Sequence, residues 1–192
     1  VIFFTMSSKA SGEFQTANRI ASQIKEDDNP DADIRIVDTE KLSIYMAQTA
    51  VYAAQLVRDG KTADEVIEES MKYIKTWRAY IVVDTLKYLE KGGRLSKSAS
   101  IVGTLLDIKP ILTVEGGLVD SYGKLRGKKK LVDKVIEKIE ENPAFHKAEK
   151  KEFLVLQSDE KRGEEACEKL REKYGEDCVL MYAEVGPLIG IH

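Results

Sequence analysis

The chain has 192 residues, of which 43% are hydrophobic and 33% are charged, and its formal net charge is −3. This composition is typical of a soluble globular protein with enough apolar material for a sizeable core. The slightly acidic balance argues against a wholesale nucleic-acid binder, and no apolar run approaches the roughly 18 residues that a membrane span needs. The two cysteines lack metal-type spacing and the two histidines are far apart in sequence, so no metal site is expected.

Both ends of the chain suggest a piece of a longer protein. The chain opens directly on an apolar strand, VIFFTM, without an initiating methionine. It ends at His192 straight after a Gly-Pro-Leu-Ile-Gly-Ile segment, with no polar tail. We therefore expect that further residues precede and follow this sequence.

The first half alternates predicted strands with predicted helices. Apolar runs predict strands, and apolar positions at helical spacing predict helices. The predicted strands cover residues 1–6, 34–37 and 79–83, and the predicted helices cover about 13–25, 43–59 and 62–77. Thr62 and Glu65 form a capping-box pattern at the start of the third helix. This order predicts a parallel α/β domain over residues 1–85.

The second half, residues 86–192, has a different pattern. Short strands at 110–114 and 118–121 flank Glu115-Gly116-Gly117, which is typical of a hairpin. A helix at about 129–141, ended by Asn142-Pro143, is followed by a strand at 153–157, a helix at 160–174 and a strand at 178–184. The prediction is a mixed-sheet α+β second domain, and the fold class is a two-domain α/β protein.

A serine-rich turn, residues 7–12, is the first candidate site. Ser7, Ser8 and Ser11 follow the first strand and precede a helix, where free backbone N–H groups and the helix dipole favour an anion. The alternative is plain N-capping of the helix by Ser11. Ser11-Gly12 also resembles part of a nucleophile elbow, although the full G-x-S-x-G motif is absent.

Thr39 and Ser43 form the second candidate. They follow the second strand, at the edge where ligands collect in parallel α/β sheets. Helix capping by Asp38 or Ser43 explains the same residues equally well.

The third candidate is Arg94, which follows Gly92-Gly93. Two glycines allow a tight connection whose backbone approaches a ligand closely, and a guanidinium binds a carboxylate or phosphate through two parallel hydrogen bonds. Most such triplets are simple turns, which is the alternative here.

Two further features carry positive charge or a lone imidazole. A basic run covers residues 124–130, and its members Lys124, Arg126, Lys128 and Lys129 either form a solvated face or meet an anion or partner. His192 ends the chain, and a lone histidine in such a place is usually structural.

Together these residues give the chain a resemblance to the DegV family of fatty-acid-binding proteins, the lipid-binding subunits of bacterial fatty acid kinase. The segments that carry it follow the family's order and cover nearly the whole chain. They are Ser7 to Gly12, Val37 to Thr39 with Ser43, Asp84 to Leu89, Gly92 to Ser96, Leu105 to Leu112, the basic region at Arg126 and Lys129, and Gly186 to His192.

The resemblance implies that the protein holds one long-chain fatty acid in an apolar tunnel between its two domains. It places Ser7, Ser8, Ser11, Arg94 and His192 at the carboxylate end. A separate fatty acid kinase subunit would supply ATP and phosphorylate that carboxylate. The residues that would help to dock the kinase subunit are Lys124, Arg126, Lys128 and Lys129. The chain is thus expected to be a bacterial, cytoplasmic carrier and not an enzyme, with no cofactor besides the bound lipid. It would bind no nucleic acid and span no membrane, although transient membrane contact is compatible with the role.

The sequence also departs from the family pattern. Where the family has Ser-Gly-Thr, this chain has Ser11-Gly12-Glu13, and where the family has Asp-Ser, it has Asp38-Thr39. Bulkier residues at Ile44 to Gln48 replace a glycine-rich helix start. A functional alternative of a different class is an α/β serine hydrolase acting on an acyl ester. That alternative requires a histidine and an acid near a serine nucleophile, and only His146 and His192 are available.

Overall fold

The computed structural model describes residues 1–96, 108–127 and 130–186. Its strands are β1 (Ile2–Thr5), β2 (Arg35–Asp38), β3 (Ile81–Val82), β4 (Ile108–Glu115), β5 (Leu118–Arg126), β6 (Phe153–Gln157) and β7 (Val179–Glu184). Its α-helices are α1 (Glu13–Gln23), α2 (Ile44–Arg58), α3 (Ala63–Thr76), α4 (Lys87–Gly92), α5 (Leu131–Glu140), α6 (Pro143–Lys147) and α7 (Glu160–Tyr174). Parallel strand pairs together with a hairpin confirm the predicted mixed α/β fold class.

The described residues form two compact units. Unit 1 contains Val1–Ala79, residues 93–96 and Leu112–Ser121, and unit 2 contains Tyr80–Gly92, residues 108–111, 122–127 and 130–186. The hairpin of β4 and β5 therefore has its tip in unit 1 and its base in unit 2. The domain limits 1–85 and 86–192 stay a prediction.

Unit 1 is built on a parallel pair of strands. β1 and β2 pair from Ile2 opposite Arg35 to Thr5 opposite Asp38. Aromatic and β-branched side chains favour this extended backbone. Helices α2 and α3 pack beside the pair, and their core residues Ala53, Leu56 and Val66 are joined by Ile2, Phe4 and Tyr52.

Helix α3 begins at the capping box that the sequence predicts. The Thr62 hydroxyl oxygen accepts a hydrogen bond from the Glu65 N–H, and the Glu65 carboxylate accepts one from the Thr62 N–H at 2.8 Å. Two backbone donors without helical partners are satisfied in this way.

The hairpin turns at Gly116 and Gly117, whose φ angles are +56° and +86°. A two-residue turn with positive φ at both positions matches the twist of the strands it joins, and glycine adopts it without steric cost. Strand β4 lies between β3 and β5, and its residues from Lys109 to Val114 are all buried. The sequence predicted the turn correctly and both strands too short.

Unit 2 contains a second parallel pair, β6 and β7, connected through α7. A core cluster formed by Val132, Ile136, Leu170 and Cys178 packs α5 and α7 against it. Cys167 and Cys178 are buried free thiols. Burial raises the pKa of both, so neither is an activated nucleophile.

Two local expectations need revision. Asn142-Pro143 ends helix α5 as predicted, but it also begins α6, because the Asn142 side chain accepts a hydrogen bond from the Ala144 N–H at 3.0 Å. Proline suits the first turn of such a helix, where its missing N–H costs nothing. Lys124 and Arg126 lie within strand β5 and not in a connection to the following helix.

Candidate functional site

The serine turn, residues 7–12, closes on itself directly after β1. The carbonyl oxygen of Ser7 accepts hydrogen bonds from the N–H groups of Ala10 and Ser11, both at 3.0 Å. The Ser7 N–H donates to the carbonyl oxygen of Lys41 at 2.9 Å, which ties the turn to the segment after β2. The turn therefore lies at the carboxyl end of the parallel pair, where ligands bind in open α/β sheets.

Ser8 forms hydrogen bonds with Asp38. The Oδ1 atom of Asp38 accepts hydrogen bonds from the N–H of Ser8 at 3.2 Å and from that of Glu40 at 3.0 Å. Burial alone would raise the pKa of Asp38, but hydrogen bonds from the Ser8 hydroxyl and these N–H groups outweigh it and hold the pKa below its usual value. Asp38 is therefore an ionised carboxylate that organises the turn.

Ser11 lies at the start of α1. Its Oγ atom accepts a hydrogen bond from the Glu13 N–H at 3.2 Å, although Gly12 is the capping residue and the cap has no side-chain hydrogen bond. The Glu13 carboxylate, the negative charge that departs from the family pattern, accepts a hydrogen bond from the Met6 N–H at 2.6 Å. That carboxylate thus serves a local structural role beside the turn.

Ser7 lies under the hairpin tip. Its side chain is fully buried, and a Cβ atom placed on Gly117 would clash with the Ser7 Oγ atom. The Nζ atom of Lys9 donates to the carbonyl oxygen of Gly116 at 2.8 Å. The tip of the hairpin is thus packed directly on the serine turn.

Arg94 reaches the same place from another segment. Its Nε atom donates to the carbonyl oxygen of Ala10 at 3.3 Å. Leu95 forms a parallel bridge with Val119 of β5, supported by hydrogen bonds from the Val119 N–H to the Arg94 carbonyl at 3.0 Å and from the Ser96 N–H to the Val119 carbonyl at 2.8 Å. The structure therefore brings Arg94 and the three serines together within unit 1, while their role in binding stays a prediction.

Thr39 and Ser43 have different settings. Thr39 is buried, and its hydroxyl donates to the Thr5 carbonyl at 2.7 Å while accepting from the Lys41 N–H at 3.2 Å. This is a structural bridge between the ends of β1 and β2. Ser43 precedes α2 with a φ of +64° and provides no side-chain cap, so the capping explanation fails for it.

The basic run is only partly described. Lys124 and Arg126 have exposed side chains on β5, and the Lys134 Nζ atom donates to the Arg126 carbonyl. Lys128, Lys129 and His192 lie outside the described residues.

The sequence did not single out the hairpin tip or Lys41 as parts of this region. A glycine pair with positive φ signals a turn, but nothing in its spacing signals the partner on which the turn packs. Lys41 is half-buried, and burial lowers the pKa of its ammonium group although the Glu115 carboxylate opposes that effect. The available signal was a lysine in the short segment between the predicted strand 34–37 and the predicted helix 43–59.

Within the residues that the structure describes, no group of three or more metal-binding side chains is close enough to hold an ion. Likewise, no helix in this part of the chain combines the length and the apolar character that crossing a membrane requires.

A family model matches the whole chain, residues 1–192, and its description is "Uncharacterised protein, DegV family". This chain belongs to the DegV family. A DegV domain-containing protein of Clostridium perfringens is 32% identical over 197 residues, which cover 100% of this chain and 65% of the relative. The chain thus spans a little under two thirds of that relative's length.

Solved DegV structures have the same fold. DegV from Bacillus subtilis, a fatty acid binding protein, matches with a TM-score of 0.78 and 29% identity over 100% of this chain and 66% of its own. A DegV family protein from Eubacterium eligens, loaded with heptadecanoic acid, matches with a TM-score of 0.82 over 99% of this chain and 67% of its own. Its identity to this chain is 22%, so that likeness concerns the fold alone.

Proposed function

We propose that this DegV protein binds one long-chain fatty acid and presents the carboxylate to a separate ATP-binding kinase subunit for phosphorylation. The observation that carries the proposal is the hydrogen bond from Arg94 Nε to the Ala10 carbonyl, which holds a guanidinium at the serine turn. Fatty acid binding by DegV of Bacillus subtilis supports it.

The chemistry of the ligand fits this arrangement. Burying an ionised carboxylate requires charge-assisted donors, which the Arg94 guanidinium and the hydroxyls of Ser7 and Ser11 would supply. The Ser8 hydroxyl already donates to Asp38. A hydroxyl that accepts a hydrogen bond, as Ser11 does from Glu13, still has its own proton to donate. Each buried methylene of the acyl chain adds about 0.8 kcal/mol, so the tail provides affinity and the polar head provides orientation.

The proposed ligand set is Ser7, Ser8, Ser11, Arg94 and His192, and the protein acts as a carrier with no catalysis of its own. The exposed side chains of Lys124 and Arg126, together with Lys128 and Lys129, would attract an acidic surface of the kinase subunit. This function belongs in the bacterial cytoplasm, where ATP is available.

A serine hydrolase is the less supported candidate. A nucleophilic serine donates its proton to a histidine base. The Ser8 hydroxyl instead donates to the Asp38 carboxylate, and the Oγ atoms of Ser7 and Ser11 accept hydrogen bonds from backbone N–H groups.

Binding of a long-chain fatty acid and of its methyl ester to lipid-free protein tests the proposal. The two ligands share a tail, but only the acid carries the charge. We expect the acid to bind at least about tenfold more tightly, because a charge-assisted hydrogen bond contributes roughly 1.5–3 kcal/mol. Equal affinities for the acid and the ester would show that no group of the protein binds the carboxylate. Adding the kinase subunit with labelled ATP then tests whether the bound acid accepts a phosphoryl group.

A further inference from the structure

The hairpin tip packs closely on the serine turn. Ser7 is fully buried, and the Cβ atom that any other residue would have at position 117 would lie well within 3.0 Å of its Oγ atom. Real Cβ atoms do not approach a neighbour below 3.0 Å. Position 117 therefore tolerates only glycine while Ser7 keeps its place.

Lys9 adds a second connection between the same two segments. Its N–H donates to the Ser7 Oγ atom at 3.2 Å, and its Nζ atom donates to the Gly116 carbonyl at 2.8 Å. The same Lys9 side chain would lie 3.4 Å from a Cβ atom on Gly117. The hairpin tip is thus fixed on the serine turn at two neighbouring points.

The hairpin also holds the Arg94 segment. Val119 follows Gly117 by two residues. Its N–H donates to the Arg94 carbonyl at 3.0 Å, and its carbonyl accepts from the Ser96 N–H at 2.8 Å. A shift of the tip away from Ser7 would therefore move the backbone that carries Arg94. One short turn sets the spacing between the two sets of proposed carboxylate donors.

We propose that Gly117 is a positioning residue for the ligand carboxylate, because its missing side chain lets the hairpin tip pack on the Ser7 hydroxyl and so holds the serine turn beside the Arg94 segment. This inference rests on the proposed fatty acid binding. It adds to that function a residue that need not touch the ligand.

The neighbouring glycine separates this role from a simple turn requirement. Gly116 has a φ of +56° and Gly117 a φ of +86°, so alanine is strained at both. A Cβ atom on Gly116, however, would meet nothing within 4 Å. Gly116→Ala thus imposes the backbone cost without the contact with Ser7.

The experiment compares Gly117→Ala with Gly116→Ala in thermal unfolding and in the affinity for a long-chain fatty acid. We expect both variants to lose stability, and Gly117→Ala to bind the fatty acid about tenfold more weakly than Gly116→Ala. Equal losses of affinity would overturn the proposal, because they would reduce Gly117 to a turn residue. A wild-type protein that binds no fatty acid would overturn the proposed function itself, which is a distinguishable result.

A double-variant cycle tests whether Gly117 acts through Ser7. In a Ser7→Gly background the Oγ atom is gone, so we expect Gly117→Ala to cause no further loss of affinity. An unchanged tenfold loss in that background would contradict the mechanism. If Gly117→Ala alone does not fold, the Ser7→Gly/Gly117→Ala protein is expected to fold and to bind as weakly as Ser7→Gly. Failure of that double variant to fold would also count against the contact.

Discussion

The Nε atom of Arg94 donates a hydrogen bond to the carbonyl oxygen of Ala10, 3.3 Å away and 84 residues earlier in the chain. This contact places the guanidinium at the serine turn. The turn is in addition anchored by the ionised carboxylate of Asp38. In a carrier for a charged lipid, such a cluster would hold the head group while the acyl chain is buried elsewhere.

Replacement of Arg94 by alanine is expected to weaken fatty acid binding by about 10- to 100-fold, since charge-assisted hydrogen bonds contribute roughly 1.5–3 kcal/mol. Thermal unfolding should change little, because the side chain is only half-buried. Arg58→Ala removes the same charge from an exposed position of α2 and serves as the control. Equal binding by wild type, Arg58→Ala and Arg94→Ala would show that Arg94 is only a turn residue.

Thr62→Ala should destabilise the protein by about 1 kcal/mol, because it removes the hydroxyl of the capping box that begins α3. Denaturant unfolding measures this difference directly. Thr16→Ala, at an exposed position of α1, should leave the unfolding free energy nearly unchanged. A loss no larger in Thr62→Ala than in Thr16→Ala would mean that the capping box contributes nothing.

The same capping box should make stability depend on pH. Hydrogen bonds from the N–H and then the hydroxyl of Thr62 lower the pKa of Glu65 below its usual value. A carboxyl whose pKa is lowered by folding stabilises the protein above its unfolded-state pKa, and this stabilisation is lost as pH falls through the folded-state value. The stability difference between wild type and Thr62→Ala should therefore be largest near neutral pH and shrink below about pH 4. A difference that grows with acidification would contradict this interpretation.

Gly163→Ala is expected to destabilise unit 2 by about 1 kcal/mol, although alanine normally favours a helix over glycine by a similar amount. A Cβ atom on Gly163 would lie 2.8 Å from the Gln157 Cβ atom and 2.9 Å from the Tyr182 Cε2 atom. Overpacking against β6 and β7 thus reverses the usual sign. Glu168→Ala, at an exposed position of the same helix, should be nearly neutral, and a stabilised Gly163→Ala protein would disprove the close contact.

Elements with a local sequence signal were predicted correctly. Strand β6 and helix α7 were predicted with their observed limits, since an apolar run ends at Gln157 and Asp159 caps the helix that follows. Helix α6 was missed because Asn142-Pro143 signals the end of one helix and the start of another equally well.

The candidate site was predicted only in part, because some of its contacts have no local sequence signal. The serines and Arg94 have residue types that suit a carboxylate, and family resemblance placed them together. The packing of Gly117 on Ser7 and the Lys9 bond to Gly116, which spans 107 residues, leave no periodic pattern in the sequence. Such contacts depend on the tertiary fold, and only the structure reveals them.

Native mass spectrometry of the purified protein tests the central claim most directly. The spectrum should show a complex with one long-chain fatty acid, present on isolation or formed by adding the acid to lipid-free protein, and an organic solvent should release the lipid intact. Arg94→Ala should lose most of this complex. A protein that forms no such complex, or that instead carries a covalent adduct on Ser7, Ser8 or Ser11 after treatment with an activated ester probe, would contradict the carrier function.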